Sequence, residues 1–170
     1  MLLALTGFMG SGKTSVGRIV ADALGCPFLD LDEIIEKSEG RSIPVIFAAD
    51  GEDGFRTIEG KALRKVLSKY SASSAVLALG GGTVTIPGTA ELLQEKTLCI
   101  YLKAPPETLA ANLEGKTDSR PLLQGKELLE NIRERLAARE ESYTSAAHIV
   151  LDTDGLTPVQ VADEIIIDCL

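Results

Sequence analysis

Residues 7–14, Gly-Phe-Met-Gly-Ser-Gly-Lys-Thr, follow the spacing G-x-x-x-x-G-K-[ST]. These residue types at this spacing suit the holding of a nucleoside triphosphate by its phosphates. Glycines let backbone N–H groups converge on one point and let phosphate oxygens approach closely. A helix beginning near Lys13 would add its positive dipole end. Gly10, Ser11, Gly12, Lys13, Thr14 and Ser15 are therefore the expected nucleotide-binding residues. Lys13 would neutralise the β- and γ-phosphates, which makes it a catalytic candidate as well, and the Thr14 hydroxyl would ligate Mg²⁺. An apolar run leads into the loop and a helical pattern leads out, as the motif requires.

Other residues could handle an acceptor. Asp30 and Asp32 close a predicted strand in the run Phe-Leu-Asp-Leu-Asp-Glu. Two apart on a strand, they would face the same side, toward the crevice where open α/β folds bind ligands. One could hold Mg²⁺ through water and the other could accept a hydrogen bond from a substrate hydroxyl. Equally, Asp32 could simply cap the next helix. Arg56 and Glu59 stand three apart on a predicted helix and can pair. A paired arginine keeps one rotamer and can grip a carboxylate with both nitrogens; the same pair could also be an ordinary surface ion pair. Gly80, Gly81 and Gly82 follow an apolar strand, where three glycines do nothing for strand stability. They suggest backbone brought close to a ligand. Arg120, in a polar stretch, and Arg139, on a long helical pattern, could each spread charge on a transferring phosphate or sit solvated at the surface. His148, the single histidine, opens a predicted strand and is expected to be structural.

The elements that must position these groups alternate. Strands are expected at 2–5, 27–29, 75–79, 98–102 and 148–151, and helices at 14–24, 33–39, 43–49, 55–69, 89–95, 106–113, 126–141 and 157–168. Such alternation implies α/β architecture, a parallel sheet with helices on both faces. The polar segment 114–126 reads as a mobile loop over a cleft. A chain of 170 residues without repeats or linkers fits one domain. Its net charge of −8 and pI near 4.7 argue against nucleic acid or anionic membrane as partner. No apolar run approaches a membrane span. Three scattered cysteines, Cys26, Cys99 and Cys169, read as reduced thiols in a cytoplasmic protein.

Taken in order, these motifs resemble shikimate kinase: the phosphate loop at 7–14, Asp30-Leu31-Asp32, the pattern FxxxGExxFRxxE at 47–59, LGGG at 79–82, RPLL at 120–123 and Arg139. The resemblance spans nearly the whole chain. It implies a three-layer P-loop kinase fold with a five-stranded parallel sheet, a lid at 113–126 and an acceptor-binding segment at 31–62, all within one domain, 1–170. It implies transfer of the ATP γ-phosphoryl group to the 3-hydroxyl of shikimate, with Mg²⁺, by a monomer. Carried over, Asp30 is the water-mediated Mg²⁺ partner beside Thr14. Asp32 binds the shikimate hydroxyls and is a catalytic residue. Arg56 and Arg139 clamp the carboxylate, the glycines at 80–82 offer backbone to substrate, and Arg120 reaches the phosphates as a lid residue with catalytic and ATP-binding roles. The chain departs from the family on the adenine side, where Asn112 and Gly155-Leu156 stand in place of basic residues. A kinase for gluconate or a nucleoside monophosphate is the competing enzyme, although 4% aromatic residues offer little to stack a second base. A nucleotide-binding regulator without activity would need to have lost Lys13, Asp32, Arg56 or Arg139, and it has lost none.

Overall fold

The computed structural model describes residues 1–114 and 126–170. Five strands form one parallel sheet in the order β2-β3-β1-β4-β5. They are β1 (Leu2–Thr6), β2 (Phe28–Asp30), β3 (Ala75–Ala78), β4 (Leu98–Lys103) and β5 (Ile149–Asp152). The helices are α1 (Lys13–Leu24), α2 (Leu31–Glu39), α3 (Ile43–Lys69), α4 (Thr89–Lys96), α5 (Pro106–Glu114), α6 (Lys126–Ala146) and α7 (Pro158–Glu164).

The sheet divides the core in two, as the two-residue period of a strand demands. Leu2 and Ala4 of β1 join Leu63, Leu67, Leu93 and Tyr143 on one face, supplied by α3, α4 and α6. Leu3 and Leu5 join Val16, Val20, Val161 and Ile165 on the other, under α1, α7 and the π-helical turn Ile165–Cys169 that follows α7. All five residues of β1 are buried, which is why it reads as unbroken apolar sequence. β1 lies in the middle, so the loops leaving its end, β2's end and β3's end open into one crevice, where doubly wound sheets place ligands.

Three departures from the expected elements matter for the site. First, β2 stops at Asp30 and α2 begins at Leu31, two residues earlier than expected. Asp32 is therefore in the first turn of a helix. Second, α3 is two helical arms joined by a kink at Gly51, whose φ of 72° and ψ of −178° no helix contains. The two helical patterns at 43–49 and 55–69 are its two arms, and a glycine takes that bend without the strain a side chain would add. Third, a 3₁₀ turn, Thr83–Thr85, follows the three glycines and was not foreseen. His148 is structural: its Nδ1 accepts a hydrogen bond from the Cys99 N–H at 3.1 Å, though its ring is exposed rather than packed.

Candidate active site

The phosphate loop turns from β1 into α1 through Gly10 and Gly12, with φ of 86° and 90°. Lys13 Nζ donates to the carbonyls of Gly7 at 2.7 Å and Phe8 at 2.9 Å, which holds the ammonium against the loop. Burial lowers its pKa to about 8, against the opposing pull of Asp32 and Asp30. Phosphate oxygens would add negative charge on the side that favours the ammonium. Thr14 Oγ1 donates to Asp30 Oδ2 at 3.1 Å. The other oxygen of Asp30 caps α2, accepting from the N–H groups of Asp32 at 3.0 Å and Glu33 at 3.3 Å.

The cap belongs to Asp30, not to Asp32, and strand alternation is not what aligns the two. The turn from β2 into α2 brings Asp32 over the crevice. Its carboxyl is raised to about 6, first by burial and then by the charges of Asp30 and Glu59, with Lys13 pulling the other way.

Arg56 and Glu59 are not a surface pair. Glu59 is 0% exposed, takes Arg56 Nη1 at 2.6 Å and takes the Thr83 hydroxyl at 2.6 Å on its other oxygen. A buried carboxylate satisfied on both oxygens fixes the guanidinium that it pairs with. The Arg56 Nε is buried without a partner.

The glycines have a reason that the sequence alone concealed. A Cβ on Gly80 would lie 2.7 Å from Glu59 Oε1 and 3.1 Å from Asp32 Oδ1, and one on Gly82 would lie 2.2 Å from Arg56 Nη2. Two of the three glycines make room for the protein's own acidic and basic groups. The obstacle at Gly82 is the Arg56 guanidinium, so Gly82→Ala should push Arg56 aside and, by loosening its pair with buried Glu59, lower the melting temperature. We expect the KM for the acceptor to rise about tenfold or more, with the KM for nucleotide unchanged in steady-state kinetics. An unchanged acceptor KM would separate Arg56 from the acceptor.

Gly10, Ser11, Gly12, Lys13, Thr14, Ser15, Asp30, Asp32, Arg56, Gly80, Gly81, Gly82 and Arg139 all line one cavity of about 1200 Å³. Arg120 lies outside the described residues, as does the whole RPLL stretch. Arg139 Nη1 donates to the Gly81 carbonyl at 3.3 Å, and its guanidinium stands 5.7 Å from the Phe8 ring centre. The sequence model of the family described as "SKI: Shikimate kinase" matches residues 9–170. The chain belongs to the shikimate kinase family. A shikimate kinase of Symbiobacterium thermophilum is 40% identical over 166 residues, 97% of this chain and 94% of that protein. One from Thermus thermophilus is 43% identical over 96% of this chain and 87% of its own. Among solved structures, shikimate kinase from Acinetobacter baumannii in complex with shikimate superposes with a TM-score of 0.88 at 36% identity, over 97% of this chain and 90% of that one. A deoxyadenosine kinase from M. mycoides, at 14% identity and a TM-score of 0.61, shares the fold.

The residues expected on the adenine side border the same cavity. Thr108, Asn112, Gly155, Leu156 and Pro158 line the cavity there. Asn112 is already engaged, its Nδ2 donating to the Gly10 carbonyl at 2.9 Å, and Thr108 donates to Asp154 at 2.7 Å. Asn112 thus braces the phosphate loop against α5. Sequence reasoning missed Thr83, Tyr143 and Arg135. Thr83 directly follows LGGG, and its hydroxyl only gains meaning once Glu59 is seen to be buried. Arg135 and Tyr143 flank Arg139 by four residues on either side, so α6 sets all three on one face; that periodicity was the available signal.

Proposed function

We propose that this shikimate kinase moves the γ-phosphoryl group of ATP to the 3-hydroxyl of shikimate with Asp32 as the acceptor's base and Arg56 and Arg139 as the carboxylate clamp. The observation that carries the reading is the meeting of the Arg56 and Arg139 guanidiniums, the Asp32 carboxylate of raised pKa and Lys13 in a single cavity. Shikimate is a hydroxylated ring with one carboxylate, and the relative from Acinetobacter baumannii is described in complex with it.

The hard oxygen donors Thr14 Oγ1 and Asp30 Oδ2, 3.1 Å apart, fit Mg²⁺ held mainly by phosphate and water. When bound, Mg²⁺ would neutralise charge on the β- and γ-phosphates. Lys13 adds a second positive charge at the same phosphates, and the loop N–H groups hold them in line. Asp32 takes the hydroxyl proton as the bond to phosphorus forms. The transition state is loose, so positioning and charge stabilisation account for most of the catalysis. By sequence resemblance, Arg120 and the 113–126 lid complete the phosphate side, and residues 31–62 carry the acceptor. Three free cysteines fit a reducing, cytoplasmic setting, and the family resemblance favours a monomer. Among the described residues, no helix is long and apolar enough to cross a membrane.

The test is ADP release with ATP, Mg²⁺ and shikimate beside gluconate and a panel of nucleoside monophosphates. ADP release with shikimate alone is the expected result. Release with gluconate at a comparable kcat/KM would overturn the assignment of the clamp.

A further inference from the structure

The three glycines that wall the acceptor end of the cavity have more backbone freedom than any other tripeptide. Something outside them must fix the Gly81–Gly82 peptide. Its carbonyl accepts two donors from α6: the Tyr143 hydroxyl and Arg139 Nη1, the latter at 3.3 Å. Tyr143 is 0% exposed and stacks on Tyr101 with ring centres 5.0 Å apart and planes 25° apart. Tyr101 is itself tied down, its hydroxyl donating to Glu140 at 2.9 Å, and Glu140 pairs with Lys103 at 2.8 Å. The hydroxyl that meets Gly81 is thus mounted on a stack anchored to β4.

The peptide is trans, so its carbonyl and its N–H point to opposite sides. With the Gly81 carbonyl drawn toward α6, the Gly82 N–H is turned away from it. Among the described residues, neither the Gly81 nor the Gly82 N–H has a hydrogen-bond acceptor, and both residues line the cavity. On the acceptor-site reading above, the Gly82 N–H is thus a backbone donor available to an anionic or hydroxylated acceptor.

We propose that Tyr143 is a positioning residue for acceptor binding, fixing the Gly81–Gly82 peptide and leaving Arg139 free to serve the substrate carboxylate. Without the hydroxyl, the Gly81 carbonyl depends on Arg139 alone. The guanidinium is then drawn from the substrate to the backbone, and the Gly82 N–H loses its aim. The proposal rests on the acceptor-site reading above, so the experiment separates the two.

Tyr143→Phe keeps the ring and its stack and removes only the hydroxyl. The expected result is a rise in shikimate KM of about five- to twentyfold, the range of one lost hydrogen bond to a positioned group. The ATP KM should stay within about twofold, since the phosphate loop is untouched. Tyr101→Phe keeps the ring stack and loosens only its far anchor to Glu140, so it should raise shikimate KM much less than Tyr143→Phe does. Arg139→Ala tests the reading beneath: it should raise shikimate KM about a hundredfold or more. An unchanged shikimate KM in Tyr143→Phe overturns the proposal. So does an equal rise in both KM values, or an equal effect of Tyr101→Phe, because each marks a general packing role. If Arg139→Ala leaves shikimate KM unaltered, the acceptor-site reading itself falls.

Discussion

Asp32→Asn should cut kcat by about 10²–10⁴ and at the same time make the folded protein more stable at neutral pH. The first effect follows from removing the base while keeping its shape. The second follows from where the carboxylate sits. Its pKa in the fold is raised to about 6 from 3.8, chiefly by burial and by Asp30 and Glu59. Below pH 3.8 the carboxyl is protonated in both folded and unfolded chains and costs nothing. Between 3.8 and about 6 the unfolded chain ionises first, so stability falls as pH rises. Above about 6 the whole penalty is present, on the order of 1–3 kcal/mol at ~1.4 kcal/mol per pKa unit. Asparagine carries none of it. Thermal unfolding of the two proteins should therefore diverge by several degrees at pH 7.5 and converge near pH 3.5. In the parent enzyme, kcat/KM for shikimate should climb through about pH 6 on its acid limb, and that limb should disappear in the variant's residual activity. A variant less stable than its parent at pH 7.5 would mean that Asp32 is held by favourable contacts rather than penalised by its neighbours.

How far the sequence could lead depends on which interactions are local. The strand–loop–helix at residues 2–24 is written in consecutive residues, so its fold and its chemistry were legible together. The break at Gly51 was legible as a gap between two helical patterns because a glycine with left-handed φ leaves that gap. Asp30 and Asp32 were correctly sent to the crevice for the wrong reason, since strand alternation and a helix N-terminus both put them there and the sequence does not say where β2 ends. The sequence suggested that the glycines bring backbone close to a ligand, but not that Gly80 and Gly82 make way for Glu59 and Arg56, because those groups come from an element more than twenty residues away. The Arg56–Glu59 pair was foreseen, but its burial was equally hidden. An i,i+3 pair looks the same in sequence whether its acid is solvated or, as here, wholly buried against a threonine on another loop.

That burial sets the second large effect. Arg56→Ala should destabilise the protein by about 3–5 kcal/mol, because it strands the Glu59 carboxylate without its countercharge. Reversal to Glu would be worse, placing two carboxylates face to face in the same buried site, so it cannot report on function cleanly. Adding Glu59→Gln to Arg56→Ala removes the stranded charge while still offering an oxygen to the Thr83 hydroxyl. The double variant should regain most of the lost melting temperature. It should not regain shikimate turnover, which we expect to stay down by at least about 10²-fold in kcat/KM, since Arg139 alone leaves the acceptor carboxylate with one of the clamp's two guanidiniums. ATP affinity should match the parent enzyme in direct binding measurements. The cycle separates the two roles of Arg56, because stability returns with the charge balance and activity does not. Recovery of both in the double variant would make Arg56 a structural counter-ion, and Arg139 with the glycine wall would then have to hold the acceptor unaided.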